Sequence, residues 1–157
     1  MALTGFAPTG HYAPNSLAIM SLNRPGFDIK GAYTFLSMQT GTEVSVAVGM
    51  TFNLVNTATN YQRGDELHVE AALNQHFPFG LAVGVGGYFY QQITGDFGSG
   101  ATLGPFRGRV AGVGPLLSYT LKVDKQEVTL SGRWFHEFDA KHRVRGDAVS
   151  ASLNFKL

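Results

Sequence analysis

Apolar and polar residues alternate strictly along four stretches of the chain. In residues 42–53, TEVSVAVGMTFN, Val44, Val46, Val48, Met50 and Phe52 share one parity, while Glu43, Ser45, Ala47, Gly49, Thr51 and Asn53 share the other. Residues 66–76 set Leu67, Val69, Ala71 and Leu73 against His68, Glu70, Ala72, Asn74 and His76. Residues 79–90 set Phe79, Leu81, Val83, Val85 and Phe89 against Gly80, Ala82, Gly84, Gly86, Tyr88 and Tyr90. Residues 148–157 set Val149, Ala151, Leu153, Phe155 and Leu157 against Ala148, Ser150, Ser152, Asn154 and Lys156. A period of two marks a strand with two unlike faces. Alternation is less clean in 27–38 and 125–138. It changes phase in 106–121, where Arg107 and Arg109 share parity with Val113, Leu117, Tyr119 and Leu121. A bulge, or a strand start outside an apolar zone, is expected there.

The pattern predicts seven strands, about 27–38, 42–53, 65–76, 79–92, 106–121, 125–138 and 144–157, with residues 1–9 as the end of an eighth. Connections alternate in length. QTG (39–41), FPF (77–79) and VDK (123–125) are tight, whereas 54–64, 93–105 and 139–143 are longer and polar. Short turns at one end and long loops at the other are the layout of an up-and-down outer-membrane barrel. No amphipathic helix, internal repeat or linker interrupts the pattern, so residues 1–157 read as a single domain.

The character of the second face sharpens this. In a soluble sandwich the apolar face is the core and the outer face carries many charges. Here the second face is mostly Gly, Ala, Ser, Thr and Asn. Charged residues make up 15% of the 157 residues, against about 25% in ordinary soluble domains, and glycine numbers 20. An antiparallel barrel in lipid inverts the usual arrangement, with apolar residues outward and small or polar residues inward. The expected fold is an all-β, antiparallel up-and-down transmembrane barrel. Aromatics toward strand ends, among them Phe27, Phe52, Phe79, Phe89, Tyr119 and Trp134, fit interfacial girdles.

Charge and motifs exclude other classes. A net charge of +1 lacks the concentrated basic surface that nucleic acid requires, and the one dense basic run, KHRVR at 141–145, reads as a solvated loop. There is no cysteine for disulfide or thiolate chemistry. GVGGYF (84–89) has Phe where a dinucleotide fingerprint needs its third Gly, and no helical pattern follows. Neither cofactor nor metal is expected. His68 and Glu70 share one face, as a polar pair lining a wet lumen would. The N-terminus has no basic stretch followed by an apolar core, so a secretory signal is not expected within this chain.

If the alternation holds, Asp28, Lys30, Glu43, Glu70, Arg133, Glu137 and Lys156 face inward. Their mixed signs suggest cross-strand pairs rather than a charged ring of one sign. Glu43, His68, Glu70, Tyr88, Tyr90 and Arg133 are the candidate lumen-lining residues. Tyr61, Arg63, Asp65, Asp96 and Arg107 mark the long loops expected to form the outer mouth.

Several segments also carry a resemblance. GDELH, GGYFYQQITGD, GRVAGVGP and EFDAKHRVRGDAV, set within nearly the whole chain, resemble the C-terminal half of the phenol-degradation meta-pathway outer-membrane family. The resemblance implies a barrel of roughly twelve strands that passes small hydrophobic or aromatic solutes across a Gram-negative outer membrane, in contact with its lipid. It also implies that this chain is the C-terminal portion of a longer barrel, or a shortened one. Two alternatives stay open. One is a small barrel enzyme acting on lipid, similar to lipid A deacylases, with His136 or His68 as base; there Glu137 and Phe138 stand where a serine nucleophile is needed. The other is a soluble calycin-like barrel, which requires the apolar face to point inward.

Overall fold

In a computed structural model that describes residues 1–13, 21–123 and 126–156, the chain forms one antiparallel sheet. Its strands are β1 (Ala2–Phe6), β2 (Gly26–Leu36), β3 (Thr42–Asn53), β4 (Glu66–His76), β5 (Leu81–Gln92), β6 (Arg109–Val123), β7 (Gln126–Lys141) and β8 (Asp147–Lys156). Spatial order follows chain order from β1 to β8. Among the described residues no pairing joins β1 to β8 and no helix occurs, so the sheet curls into a half-barrel with two free edges. The seven expected strands and the short N-terminal one are all present. The tight VDK turn falls partly on residues outside the described ones.

Register keeps the two faces apart from strand to strand. Val48 sits between Gly31 of β2 and Val69 of β4, and Ala47 sits between Ala32 and Glu70. A one-residue slip would exchange the faces, so the ladder holds every apolar set on one side. That side is convex and open. Val44, Val46 and Val48 are 43%, 42% and 47% exposed, and Leu73, Val85, Leu117, Leu130, Trp134 and Phe155 are comparably bare. Only Ala82 and Val110 are buried hydrophobic residues among those described. The polar face is concave, with the apolar face outside it, opposite to the inward apolar face that a calycin-like barrel requires.

The tight turns work through glycine. Gly41 (φ 71°) and Gly80 (φ 90°) adopt left-handed backbone conformations after β2 and β4. A side chain at either position would collide with a backbone carbonyl of the neighbouring strand, His76 of β4 or Thr120 of β6.

The irregular segment differs from the expected boundaries in an instructive way. β7 continues to Lys141, three residues past the expected end, and β6 starts at Arg109 rather than 106. The register shifts between Arg109 and Ala111, where one residue of β6, Val110, faces two of β7, Asp139 and Ala140. Asp139 absorbs the extra residue with φ 51°, a conformation Asp tolerates. Its carboxylate pairs with Arg109 Nη2 at 2.7 Å. The loop placed at 139–143 by the sequence pattern is therefore 142–146.

The bare convex face yields the first prediction. Refolded into phospholipid vesicles, Val46→Arg is expected to lose about 2–4 kcal/mol of stability, and Ala47→Thr, one residue away on the concave side, under about 1 kcal/mol. Urea titration of the two vesicle-bound variants measures both. Equal losses would remove the assignment of the faces.

Candidate functional site: the concave face and its loop end

Glycine makes the concave wall by admitting side chains from the next strand. His68 of β4 lies across Gly49 of β3, where a Cβ would strike the imidazole ring. Its Nε2 thereby reaches Asp28 Oδ2 on β2 at 2.7 Å. Tyr88 of β5 likewise lies over Gly112 of β6, where a Cβ would stand 2.7 Å from the ring. Its hydroxyl donates to Glu137 on β7 at 2.6 Å. Each bridge spans three strands, which is possible only because the sheet curls toward this face and the middle strand has no side chain there. Lys30 and Glu70 also join β2 to β4, at 2.9 Å; these longer side chains clear the small Ala47 of β3 and need no such gap.

The six residues expected to line a lumen all sit on concave positions, but not all in one place. His68, Glu70, Tyr88, Tyr90 and Arg133 border a mid-sheet cavity of about 680 Å³. Glu43 is elsewhere, at the end with the tight turns. Its carboxylate accepts from Ser45, Asn74 and His76, so it clamps β3 to β4. Of the other expected inward charges, Asp28, Lys30, Glu137 and Lys156 also occupy concave register positions. His136 faces the convex side. It shares the Asp147 carboxylate with Trp134 at 3.0 and 3.1 Å.

Three cavities run along the concave face and share walls. A loop-end cavity of about 710 Å³ meets the mid-sheet cavity at Arg143. The mid-sheet cavity meets a turn-end cavity of about 480 Å³ at Leu116, Arg133 and Ser150. The result is one trough of mixed polar and apolar lining from the loop end to the turn end. Among the described residues no three His, Cys, Asp or Glu side chains converge as metal ligands.

Three amides hold the loop end. Asn53, Asn56 and Gln92 are buried, at 7%, 5% and 3% exposure. Asn56 donates to the Tyr12 hydroxyl and the Leu22 carbonyl, and accepts from Asn23 and the Ala58 N–H. Asn53 donates to the Gly64 carbonyl and Glu66. Gln92 donates to Asp96 and the Phe106 carbonyl. Tyr61 donates to Asp96 at 2.6 Å, and the Gly64 N–H donates to the same carboxylate. Gln62 and Phe97 exchange backbone hydrogen bonds, zipping the two long loops together.

Of the expected mouth residues, Tyr61, Arg63 and Asp96 border the loop-end cavity. Asp65 instead fastens the loops, its N–H donating to Thr94 Oγ1 at 2.7 Å. Arg107 is exposed, and only its carbonyl is engaged, by His142. KHRVR is not simply a solvated loop. The Arg143 guanidinium lies 4.4 Å from the Tyr90 ring centre, and Arg143 borders both the loop-end and mid-sheet cavities. Arg24 and Phe106 are further lining residues that alternation does not mark; Arg24 sits in a loop, and so does Phe106, which the pattern placed in a strand but which precedes β6. A basic run beside a strand end, facing a tyrosine in the neighbouring sheet, is the only trace of Arg143 in the sequence.

Burial, then the hydrogen bond to Asp96, pushes the Tyr61 hydroxyl up to about 12, so it remains a donor. Burial pushes the Asp96 carboxyl up, but donation from Tyr61, the Gly64 N–H and Gln92 outweighs it, and the net shift is downward. A folded value below the unfolded one means Asp96 stabilises the loops above about pH 4 and ceases to as pH falls through its folded value. Hydrogen-exchange protection of residues 60–64 and 92–97, taken relative to the intrinsic rate at each pH, is therefore expected to be high at neutral pH and to fall below about pH 4. Asp96→Asn is expected to lower that protection at neutral pH and to flatten its pH dependence. Gln92→Leu, which removes the side chain's hydrogen bonds to Asp96, the Phe106 carbonyl and the Gly108 N–H, is expected to cost about 1–3 kcal/mol locally, read as faster proteolysis within 93–108.

A family model described as "Putative MetA-pathway of phenol degradation" matches residues 1–153. No curated protein and no solved structure matches the chain.

Proposed function

The chain belongs to this phenol-degradation family, and from that footing we propose that it is a passive outer-membrane channel for small hydrophobic or aromatic compounds. The observation that carries this is the inversion of the sheet: apolar side chains stand bare on the convex face, while the concave face carries the ion pairs and hydrogen-bonding side chains along a trough of three adjoining cavities of mixed lining. Lipid is the partner that covers such a convex face. The trough supplies a path, and its tyrosines, Tyr88 and Tyr90, offer ring faces to an aromatic solute.

Transport of this kind has no covalent step and needs no cofactor. The concave carboxylates serve the wall rather than a reaction, since Asp28, Glu43 and Glu137 each accept hydrogen bonds from neighbouring strands or loops. The long loops would form the outer mouth and the tight turns the periplasmic end, as in other barrels of this layout.

The test is solute entry across a bilayer with a lipopolysaccharide outer leaflet, which resists hydrophobic solutes. The full-length protein is expected to speed entry of a neutral aromatic dye such as N-phenylnaphthylamine several-fold over a protein-free bilayer. Ala72→Trp places an indole in the mid-sheet cavity between Ser45 and Gly86 and is expected to remove most of that gain. A wild type that conducts nothing, while keeping the compact, heat-modifiable gel mobility of a folded barrel, would sink the proposal.

A further inference from the structure

The loop-end cavity joins a cationic bias to an aromatic lining. Along the wall, each carboxylate is already satisfied: Asp28 by His68 and Thr51, Glu70 by Lys30, Glu43 by three donors. At the loop end Asp96 accepts from Tyr61, Gly64 and Gln92, and Glu66 accepts from Arg63 Nε at 2.7 Å. What remains is cationic. Arg24 and Arg143 border the same cavity, and among the described residues neither has a carboxylate within ion-pair distance.

Arg143 is also placed rather than waving in solvent. Its stem runs over buried Gly108, where a Cβ would lie 3.3 Å from Arg143 Cγ, and its guanidinium stacks on Tyr90 at 4.4 Å. Arg63 approaches the same tyrosine and takes its hydroxyl as acceptor at 2.6 Å. Tyr90 thus presents one arginine by its ring and another by its oxygen. Aromatic surface completes the cavity, with Tyr12, Tyr61 and Phe106 on its lining. A volume of about 710 Å³ falls within the range of small-molecule sites.

A planar guanidinium matches a carboxylate through paired N–H···O bonds, and aromatic walls match a ring. We propose that the loop-end cavity binds small aromatic carboxylates, with Arg143 and Arg24 holding the carboxylate and Tyr61 and Phe106 flanking the ring. This rests on the channel proposed above and names the class of solute its mouth selects. A neutral phenol of the same size offers the arginines one uncharged acceptor and no paired oxygens, and an aromatic amine meets like charge.

Calorimetric titration of the full-length protein in detergent tests it with four probes: benzoate, benzyl alcohol, benzylamine and acetate. Benzoate is expected to bind saturably and at least about tenfold more tightly than each of the others, with affinity falling as salt rises. Arg143→Gln and Arg24→Gln are each expected to weaken benzoate several-fold more than benzyl alcohol, and Arg143→Lys, which keeps charge without the planar fork, to fall between. Gly108→Val provides an independent route, displacing Arg143 while leaving every charge in place. Equal affinity for benzoate and benzyl alcohol would overturn the proposal, as would undiminished benzoate binding by folded Arg143→Gln. The two proposals fail separately. Entry of the neutral dye without benzoate preference would refute the site alone, and benzoate preference without dye entry would refute the channel alone.

Discussion

A single sheet has two faces and no second layer to cover either. Everything else in this molecule follows from that constraint. Its backbone is satisfied within the ladder, strand to strand from β1 to β8, but its apolar side chains find no core. Val44, Val46 and Val48 would be a hydrophobic interior in a sandwich; here they look outward, uncovered by any of the described residues. Water is a poor solvent for such a face, and a bilayer is a good one. The same inversion frees the concave side to be polar.

The concave side is held by cross-strand hydrogen bonds rather than by packing. A wall that borders cavities has little close-packed volume behind it, and here side chains that bridge three strands tie it together. Gly49 and Gly112 are the enabling residues, because each leaves a gap through which His68 or Tyr88 reaches the strand beyond. These bridges draw the outer strands together and favour curl. They also occupy the carboxylates, which leaves arginines as the unsatisfied groups of the trough. Mixed formal charge therefore conceals a one-sided hydrogen-bonding capacity.

The loop end is built differently again. Three buried amides, Asn53, Asn56 and Gln92, tie the long connections to strand ends and to one another. An amide can donate and accept at once, so one side chain serves two loops without adding charge. Asp96 gathers the remaining donors. Loops with so many fixed partners can hold a cavity in shape, which a flexible connection cannot.

The alternation of residues determined the class of fold, the number of strands, the up-and-down order and which side chains share each face. It could do so because a period of two and the alternation of short and long connections are local properties of the chain. It also placed Asp28, Lys30, Glu43, Glu70, Arg133 and Glu137 on the concave side, since parity alone fixes a face. Only the tertiary structure decided who meets whom. Parity cannot say that His68 passes over Gly49 to Asp28, nor that Glu43 clamps the turn end instead of lining the cavity. The bulge at Asp139 moved a strand boundary because a left-handed residue and an ion pair to Arg109 extend β7 past the point where the pattern fades. Arg143, Arg24 and Phe106 were invisible to periodicity because they lie in loops, where no repeat constrains direction. Their meeting at one cavity is set by how far a curled sheet brings its distant connections together, and that distance is a property of the whole fold.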